Sequence, residues 1–295
     1  MGVIINFNGN LQESAAISVF DHGFLFGDSV YEVICTYNTI PCFVDKHLKR
    51  LRRSADGISL TLPYDDARFI KEISRTLAAA GNKCESYIRI VVTRGIGEID
   101  IDPSSCELSN VLIYVTPVKT HQPEYYEKGI NVALVTVKRN AKESLNPGIK
   151  TGNYLNNVLA KMEAGKLGAK DALMLNPWGY LTECTTSNFF FVQDGRIMTP
   201  SLDCGILAGI TREVVIQLAN ENGFLVEEGA WFPDELAKAQ EAFVTGTVRR
   251  IMPVTYLDGR PVGNGKPGPI TMRLARLYDE LLRTLFEKHA MPVAR

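Results

Sequence analysis

Apolar and polar positions along this chain switch between a period of two and a helical period, and the switches outline its elements. GVIINFNG, VYEVICTYNT, SYIRIVVTRG and SNVLIYVTPV have strand length and strand composition. Between them, DKHLKRLRRSADG predicts a capped helix closing on Gly57, and DDARFIKEISRTLAAAG another closing on Gly81. TPVKTHQPEYYEKG, residues 116–129, is polar with two prolines and is expected to be a linker. Beyond it, INVALVTV, DALML, LTECTTSNFFFVQDGRIMTP, EAFVTGT and IMPVTYLDG read as strands, with Asp194-Gly195 a strong hairpin signal. In NYLNNVLAKMEAGKLG the apolar residues Tyr154, Leu155, Val158, Leu159 and Met162 recur at helical spacing, so this helix is expected to bury that face. AGITREVVIQLANENG predicts a helix ended by Gly223, and the chain closes with a helix from about Ile270 to His289. Mixed strands and helices on both sides of one linker imply an α+β or α/β protein of two domains, 1–115 and 130–295, joined by 116–129.

Bulk composition narrows the function classes. A chain of 295 residues suits two ordinary domains, and 45% hydrophobic with 22% charged residues describes a globular protein. The densest apolar runs, FFFV at 189 and VLIYV at 111, have strand length, well short of the roughly 20 residues that span a bilayer. No basic segment followed by a long apolar stretch opens the sequence, so a cytoplasmic location is expected. Net charge is −1, which argues against nucleic acid or an anionic membrane as partner. The basic run KHLKRLRR, Lys46 to Arg53, reads on its own as a solvated helix face. Six cysteines without a Cys-x-x-Cys pair, and four histidines without His-x-x-x-His spacing, point to thiols and to no metal centre.

Several motif fragments lead nowhere. GIGEID at 95 lacks the third glycine of a dinucleotide turn, GNGKP at 263 lacks the spacing of a phosphate loop, and no Gly-x-Ser-x-Gly frame occurs. Three other stretches place charge or hydroxyls awkwardly. Lys150 follows a Pro-Gly turn and reads as the start of a helix, where the macrodipole would lower its proton affinity and favour reaction with an aldehyde; alternatively it is a surface lysine. Glu183 lies in a strand of apolar and hydroxyl residues and wants a cationic partner unless it sits on an edge facing water. Gly209-Ile210-Thr211 opens a helix and Thr245-Gly246-Thr247 forms a small turn, so together they offer amides and hydroxyls to a phosphate; singly, each is an ordinary cap or turn.

Taken together, E-CTTS-N-F-F, I-M-T and L-A-G-I-T-R, with HLKRL, YIR, IKTGNY and FVTGT-V-RRIMPV in the same order, resemble the class IV pyridoxal-phosphate aminotransferases over nearly the whole chain. That family includes branched-chain and D-amino acid aminotransferases and aminodeoxychorismate lyase. The resemblance implies fold type IV: a small α+β domain, a larger pseudo-barrel domain, the cofactor between them, and a homodimer or higher homo-oligomer in which a loop, here the one near GIGEID, is lent to the neighbour. It implies that Lys150 holds pyridoxal 5'-phosphate covalently and moves the proton, that Glu183 pairs with the pyridine nitrogen, and that Tyr154 bonds the phenolic oxygen. It assigns the phosphate to Arg50, Ile210, Thr211 and Thr247 beside Gly246. Gly152, Asn153 and Tyr154 would clear space and line the ring edge.

For the substrate, the resemblance points to Tyr31, Val33, Arg89, Thr247 and Val248. YIR at 87–89 and the TGT turn resemble the branched-chain enzymes, whereas Tyr31-Glu32-Val33 resembles the D-amino acid and R-amine branches, and the arginine that D-amino acid enzymes use as a carboxylate trap corresponds to Ile99. The expected reaction is ping-pong transfer between a branched-chain L-amino acid and 2-oxoglutarate, with a D-amino acid or (R)-amine transaminase and the lyase as alternatives. Arg249 and Arg250 are open to either substrate binding or solvation.

Overall fold

The structure, a computed structural model, describes residues 3–287. Its contacts divide the chain into two compact units: one holds the residues up to Lys119 with Ile149–Asn153 and the described residues from Phe286, the other holds Thr120–Gly148 and Tyr154–Leu285.

The first unit is a sheet covered on one face by helices. Its strands are β1 (Ile4–Phe7), β2 (Asn10–Gln12), β3 (Ser29–Tyr37), β4 (Ile40–Pro41), β5 (Ser86–Thr93) and β6 (Asn110–Pro117), in the order β2-β1-β6-β5-β3-β4 with every pairing antiparallel. The short α1 (His22–Leu25) precedes β3, and α2 (Val44–Asp56) and α3 (Asp66–Ala80) lie between β4 and β5. Alternation sorts the strands: Val30, Ile34, Ile88, Ile90, Val92, Val111, Ile113 and Val115 point to one face and pack with Leu48, Leu51, Phe69 and Ile73 of the helices. The expected helix ends hold at Gly57 and Gly81, and Gly81 takes a left-handed φ of 55° as its C-cap. Within the basic run Lys46, Lys49 and Arg53 are exposed, as a solvated face requires, but His47, Leu48, Arg50 and Leu51 are buried.

The second unit contains a ring of strands. After α4 (Glu124–Glu127) come β7 (Ile130–Leu134), α5 (Leu155–Lys166), β8 (Asp171–Leu175), β9 (Leu181–Cys184), β10 (Asn188–Gln193), β11 (Arg196–Pro200), α6 (Ile210–Glu221), β12 (Val226–Gly229), β13 (Glu241–Gly246), β14 (Arg250–Leu257), β15 (Arg260–Pro261) and α7 (Pro269–Glu287). Strands β10-β13-β14-β7-β8-β9 follow one another, and β9 returns to β10 through the single pair Asn188↔Glu183, which closes the barrel-like sheet. Glu183 therefore stands at the seam. β11 continues the sheet from β10 across the Asp194-Gly195 hairpin, and β12 joins it in parallel. Phe189, Phe191, Leu173, Leu181, Val244 and Met252 fill one core. Glu241, buried at the start of β13, accepts the backbone amides of Ile270 (3.0 Å) and Thr271 (2.7 Å) at the start of α7. Lys288 and His289, the last residues of the helix expected from sequence, lie outside the described residues.

One expectation reverses. α5 buries Asn157, Ala160 and Ala164, while Leu155, Val158, Leu159 and Met162 are 68%, 47%, 48% and 57% exposed. Ala160 and Ala164 meet Ala133, Ala172 and Met174 of the sheet and Ala169 of the connection to β8, and small side chains allow the closest approach of helix to strands. No helix among the described residues is long and apolar enough to cross a membrane.

Candidate active site

In the first unit several of the candidate residues lie on the sheet face opposite the helices. Tyr31 and Val33 point there from β3, and Val33 is the register partner of Arg89 on β5, so that three of the five substrate residues named from sequence share one face. The Arg89 guanidinium carbon lies 4.0 Å from the centroid of the Tyr31 ring, and its buried Nε has no hydrogen-bond partner among the described residues. Lys150 arrives at the same tyrosine: its Nζ is 3.3 Å from the Tyr31 hydroxyl and 4.3 Å from the ring centroid.

The backbone, not a helix, delivers that amine. The Tyr31 amide donates to the Lys150 carbonyl (3.0 Å), the Gly152 amide donates to the Ser29 carbonyl (2.8 Å), and Thr151 bridges Val30, so residues 150–152 run as an added strand on β3. The Lys150 amide is taken by the Ser54 hydroxyl at 3.1 Å. α5 begins only at Leu155, with Tyr154 as its N-cap, so the helix-start macrodipole expected at Lys150 does not act there. Gly152 and Asn153 have a tethering part: a Cβ on Gly152 would run into the Ser29 hydroxyl, and Asn153 Nδ2 donates to the Gly27 carbonyl at 3.0 Å.

On the helix side of β3, Glu32 is fully buried and holds Arg50 and His47 of α2. Arg50 Nε donates to Oε1 (2.7 Å) and Nη2 to Oε2 (2.8 Å), and Oε2 also accepts from His47 Nδ1 (2.7 Å). Burial alone would raise the Glu32 carboxyl, but the Arg50 and His47 contacts outweigh it and hold the group well below its ordinary 4.5. Burial pushes His47 below its ordinary 6.5, and the Glu32 hydrogen bond only partly offsets this. Arg50 thus has two nitrogens committed to Glu32. Sequence reasoning missed Glu32 and His47 in this setting, although a carboxylate in an apolar strand was the same signal that singled out Glu183.

In the second unit, Glu183 has its cationic partner. Arg139 Nη2 and Nε donate to Oε1 at 3.0 and 3.2 Å, while Oε2 accepts from the Leu207 amide (3.0 Å) and Asn188 Nδ2 (3.2 Å). Arg139 and Glu183 are both buried, so Glu183 is not a water-facing edge residue. Arg139 gave no signal of its own in the sequence. The CTTS segment is a turn, with the Cys184 amide donating to the Ser187 carbonyl at 2.8 Å, and it folds β10 back onto β9. Gly209 caps α6 as expected, and Ile210 and Thr211 are its buried first residues. A Cβ on Gly209 would collide with Asn188 Oδ1, so this glycine allows the helix start to approach Glu183's neighbour. Thr245 lies within β13 instead of the turn, and Gly246 ends the strand before Thr247-Val248-Arg249. The Thr245 and Ser187 hydroxyls are buried without hydrogen-bond partners among the described residues.

Arg249 and Arg250 part company. Arg249 Nη1 donates to Oδ2 of fully buried Asp171 at 2.5 Å, whereas Arg250 pairs with half-exposed Asp279 at 3.0 Å. Ile99 is 74% exposed in the loop between β5 and β6.

Comparison with known proteins agrees with this inventory. The profile of the amino-transferase class IV family matches residues 29–257. A candidate branched-chain-amino-acid aminotransferase of Methanocaldococcus jannaschii is 38% identical over 270 residues, 92% of each chain. A D-alanine aminotransferase of Bacillus licheniformis is 35% identical over 267 residues, covering 90% of this chain and 92% of that protein. Among solved structures, a T.th. branched-chain amino acid aminotransferase with pyridoxamine 5'-phosphate superposes with a TM-score of 0.90 at 32% identity, over 95% of this chain and 93% of the other. With matching motifs, a matching fold and relatives above 30% identity over nearly their whole length, this chain belongs to the class IV aminotransferases.

Proposed function

We propose that the protein transfers an amino group between a branched-chain L-amino acid and 2-oxoglutarate in a ping-pong cycle, with pyridoxal 5'-phosphate as cofactor. The residues present suit that group. Buried Ser187 and Thr245 hydroxyls without partners, the open amides at the start of α6, a carboxylate fixed at the barrel seam and a lysine amine on a tyrosine ring offer donors, acceptor and nucleophile to an anionic, heterocyclic aldehyde. Lys150 would hold the aldehyde carbon, Glu183 the pyridine nitrogen and Tyr154 the phenolic oxygen. Arg50, the Ile210 and Thr211 amides and Thr247 beside Gly246 would hold the phosphate.

Bound there, the cofactor supplies an electron sink for the substrate α-carbon. The chain's own residues do the rest. Lys150 Nζ would carry the proton from the substrate α-carbon to the carbon that the aldehyde supplies, and the Tyr31 hydroxyl at 3.3 Å orients that nitrogen. Arg139 holds Glu183 through Oε1, and the Leu207 amide and Asn188 Nδ2 hold it through Oε2, so the carboxylate that would pair with the ring nitrogen is fixed from both oxygens. Thr247 and Val248 receive the α-carboxylate, while Tyr31 and Val33 cover the branched side chain. The observation that carries the substrate reading is Arg89: a buried guanidinium nitrogen without a partner, on the face that Lys150 and Tyr31 share, fits the second carboxylate of 2-oxoglutarate.

Similarity to D-alanine aminotransferases at 35% identity supports the second reading, a D-amino acid or (R)-amine transaminase. Against it, the position matching their carboxylate trap is the apolar Ile99. Titrating the holoenzyme with L-leucine, D-alanine and an (R)-amine, and following loss of the bound aldehyde's absorbance, separates the two. Faster reaction with D-alanine than with L-leucine overturns the branched-chain assignment. Borohydride trapping followed by peptide mass analysis is expected to place the pyridoxyl group on Lys150, and its appearance on another lysine removes the mechanism above.

The proposed assembly is a homodimer or higher homo-oligomer. The exposed Leu155, Val158, Leu159 and Met162 stripe and the apolar Ile96, Ile99 and Ile101 near GIGEID support it. Sedimentation equilibrium showing a monomer at micromolar concentration would sink this part.

A further inference from the structure

We propose that Arg249 is a positioning residue, whose ion pair with buried Asp171 fixes the Thr247–Val248 turn in the pose that receives a substrate carboxylate. The inference rests on the reading of that turn as the carboxylate site, and it deepens it.

The turn needs an anchor. Residues 247–249 connect β13 to β14, and the register pair Gly246↔Arg250 brackets them. Arg250 takes a left-handed φ of 54°, a conformation that a side chain other than glycine adopts reluctantly and that persists only where surrounding contacts impose it. The three-residue turn thus runs into a backbone position that its surroundings must hold.

Arg249 supplies the contact. Its side chain is only 13% exposed, and its Nη1 reaches Asp171 Oδ2 at 2.5 Å, where the Asp171 side chain has no exposure at all. Asp171 is in turn held fast from its other oxygen: Oδ1 accepts the Thr185 hydroxyl (2.5 Å), the Thr185 amide (3.3 Å) and the Ala172 amide (2.9 Å). From Thr185 the network continues, since its carbonyl accepts Asn157 Nδ2 at 2.7 Å and Asn157 Oδ1 accepts Arg139 Nη1 at 3.3 Å. Arg139 ends on Glu183. One buried chain of polar contacts therefore ties the Thr247–Val248 turn to the carboxylate at the barrel seam, through β8, the 184–187 turn and α5. Buried polar networks of this kind hold their members in one arrangement. The Arg249 charge is used up inside the network, which makes it a support for the turn and not a ligand.

Four holoenzyme variants test this: Arg249→Met, Arg249→Lys, Asp171→Asn and Thr247→Ala. Arg249→Met keeps an unbranched apolar stem and removes only the fork, so it guards against a folding failure in Asp171→Asn. Both are expected to raise KM roughly tenfold for the amino donor and for the dicarboxylate acceptor alike, because every substrate carries the α-carboxylate. With cofactor saturating, kcat should stay within about twofold, and Arg249→Lys should recover most of the loss. The double variant should add little to either single one, since both remove the same interaction. A KM rise confined to the dicarboxylate, or unchanged KM in Arg249→Met, overturns the inference. Thr247→Ala separates the two levels. If it raises KM while Arg249→Met does not, only the positioning role fails; if Thr247→Ala leaves KM unchanged, the turn is not the carboxylate site and both fail.

Discussion

Replacing Glu32 by glutamine tests the buried centre that holds Arg50. Glu32 Oε1 accepts Arg50 Nε at 2.7 Å, and Oε2 accepts both Arg50 Nη2 at 2.8 Å and His47 Nδ1 at 2.7 Å. The amide of Glu32→Gln keeps the volume, but whichever way it turns its NH2 meets a donor. The charge pair is lost as well. Two unit charges about 4 Å apart at an effective dielectric of about 20 attract by roughly 4 kcal/mol. Removing one partner of a buried pair costs about 3–5 kcal/mol, so both routes place the loss at about 4 kcal/mol. The sign with pH follows from the directions of the shifts. The Glu32 carboxyl is held below its ordinary 4.5, so its contribution is complete above 4.5 and declines as pH falls toward the folded value. His47 is held below its ordinary 6.5, so below 6.5 the unfolded chain takes up the proton more readily, and there too stability declines as pH falls. Urea unfolding of the apoenzyme at pH 7, 5 and 4 reads this out. Both tryptophans, Trp178 and Trp231, lie in the second unit, so fluorescence follows that unit while far-UV dichroism follows the whole chain. The variant should show an early dichroism transition ahead of the fluorescence change, and its deficit should narrow below pH 4.5. A loss under about 1 kcal/mol at pH 7, or coincident transitions in the variant, would refute the reasoning.

Three further outcomes are expected. Glu183→Gln should retain the bound cofactor yet slow the half-reaction with an amino donor by about 10²–10³-fold in stopped-flow absorbance, since a neutral amide stabilises a protonated ring nitrogen poorly; unchanged turnover removes Glu183 from the mechanism. Gly209→Ala forces a Cβ against Asn188 Oδ1 and should cost about 1–3 kcal/mol by denaturant titration while loosening the Asn188 contact to Glu183. Glu241→Ala removes the acceptor for the Ile270 and Thr271 amides and should destabilise the start of α7 by about 1–2 kcal/mol, read as faster amide exchange at those two residues; unaltered exchange speaks against the cap.

Where a signal was local, it could be read from the chain alone. The alternation in β3, β5 and β6 marks strands with one covered face, because neighbouring side chains on a strand point to opposite sides whatever the rest of the fold does. Gly81 and Gly223 close their helices because a left-handed residue at a helix end is a property of a few consecutive residues. The Glu183 signal was legible because a carboxylate in an apolar strand needs a cationic partner, which Arg139 supplies.

What failed was everything that depends on which distant segment arrives. The apolar stripe of α5 looked like its buried face, yet the sheet beneath it is built from alanines, and helix and strands pack through Ala160 and Ala164 instead. Lys150 looked like a helix start, but its carbonyl is held by the amide of Tyr31 in β3, 119 residues earlier in the chain. Arg139 meets Glu183 across 44 residues, and Arg249 meets Asp171 across 78. Side-chain direction and turn chemistry are set by neighbouring bonds, so composition and order suffice for them. The partners of a buried charge, and the face a helix turns inward, are chosen only when strands far apart in sequence register against one another and close the barrel.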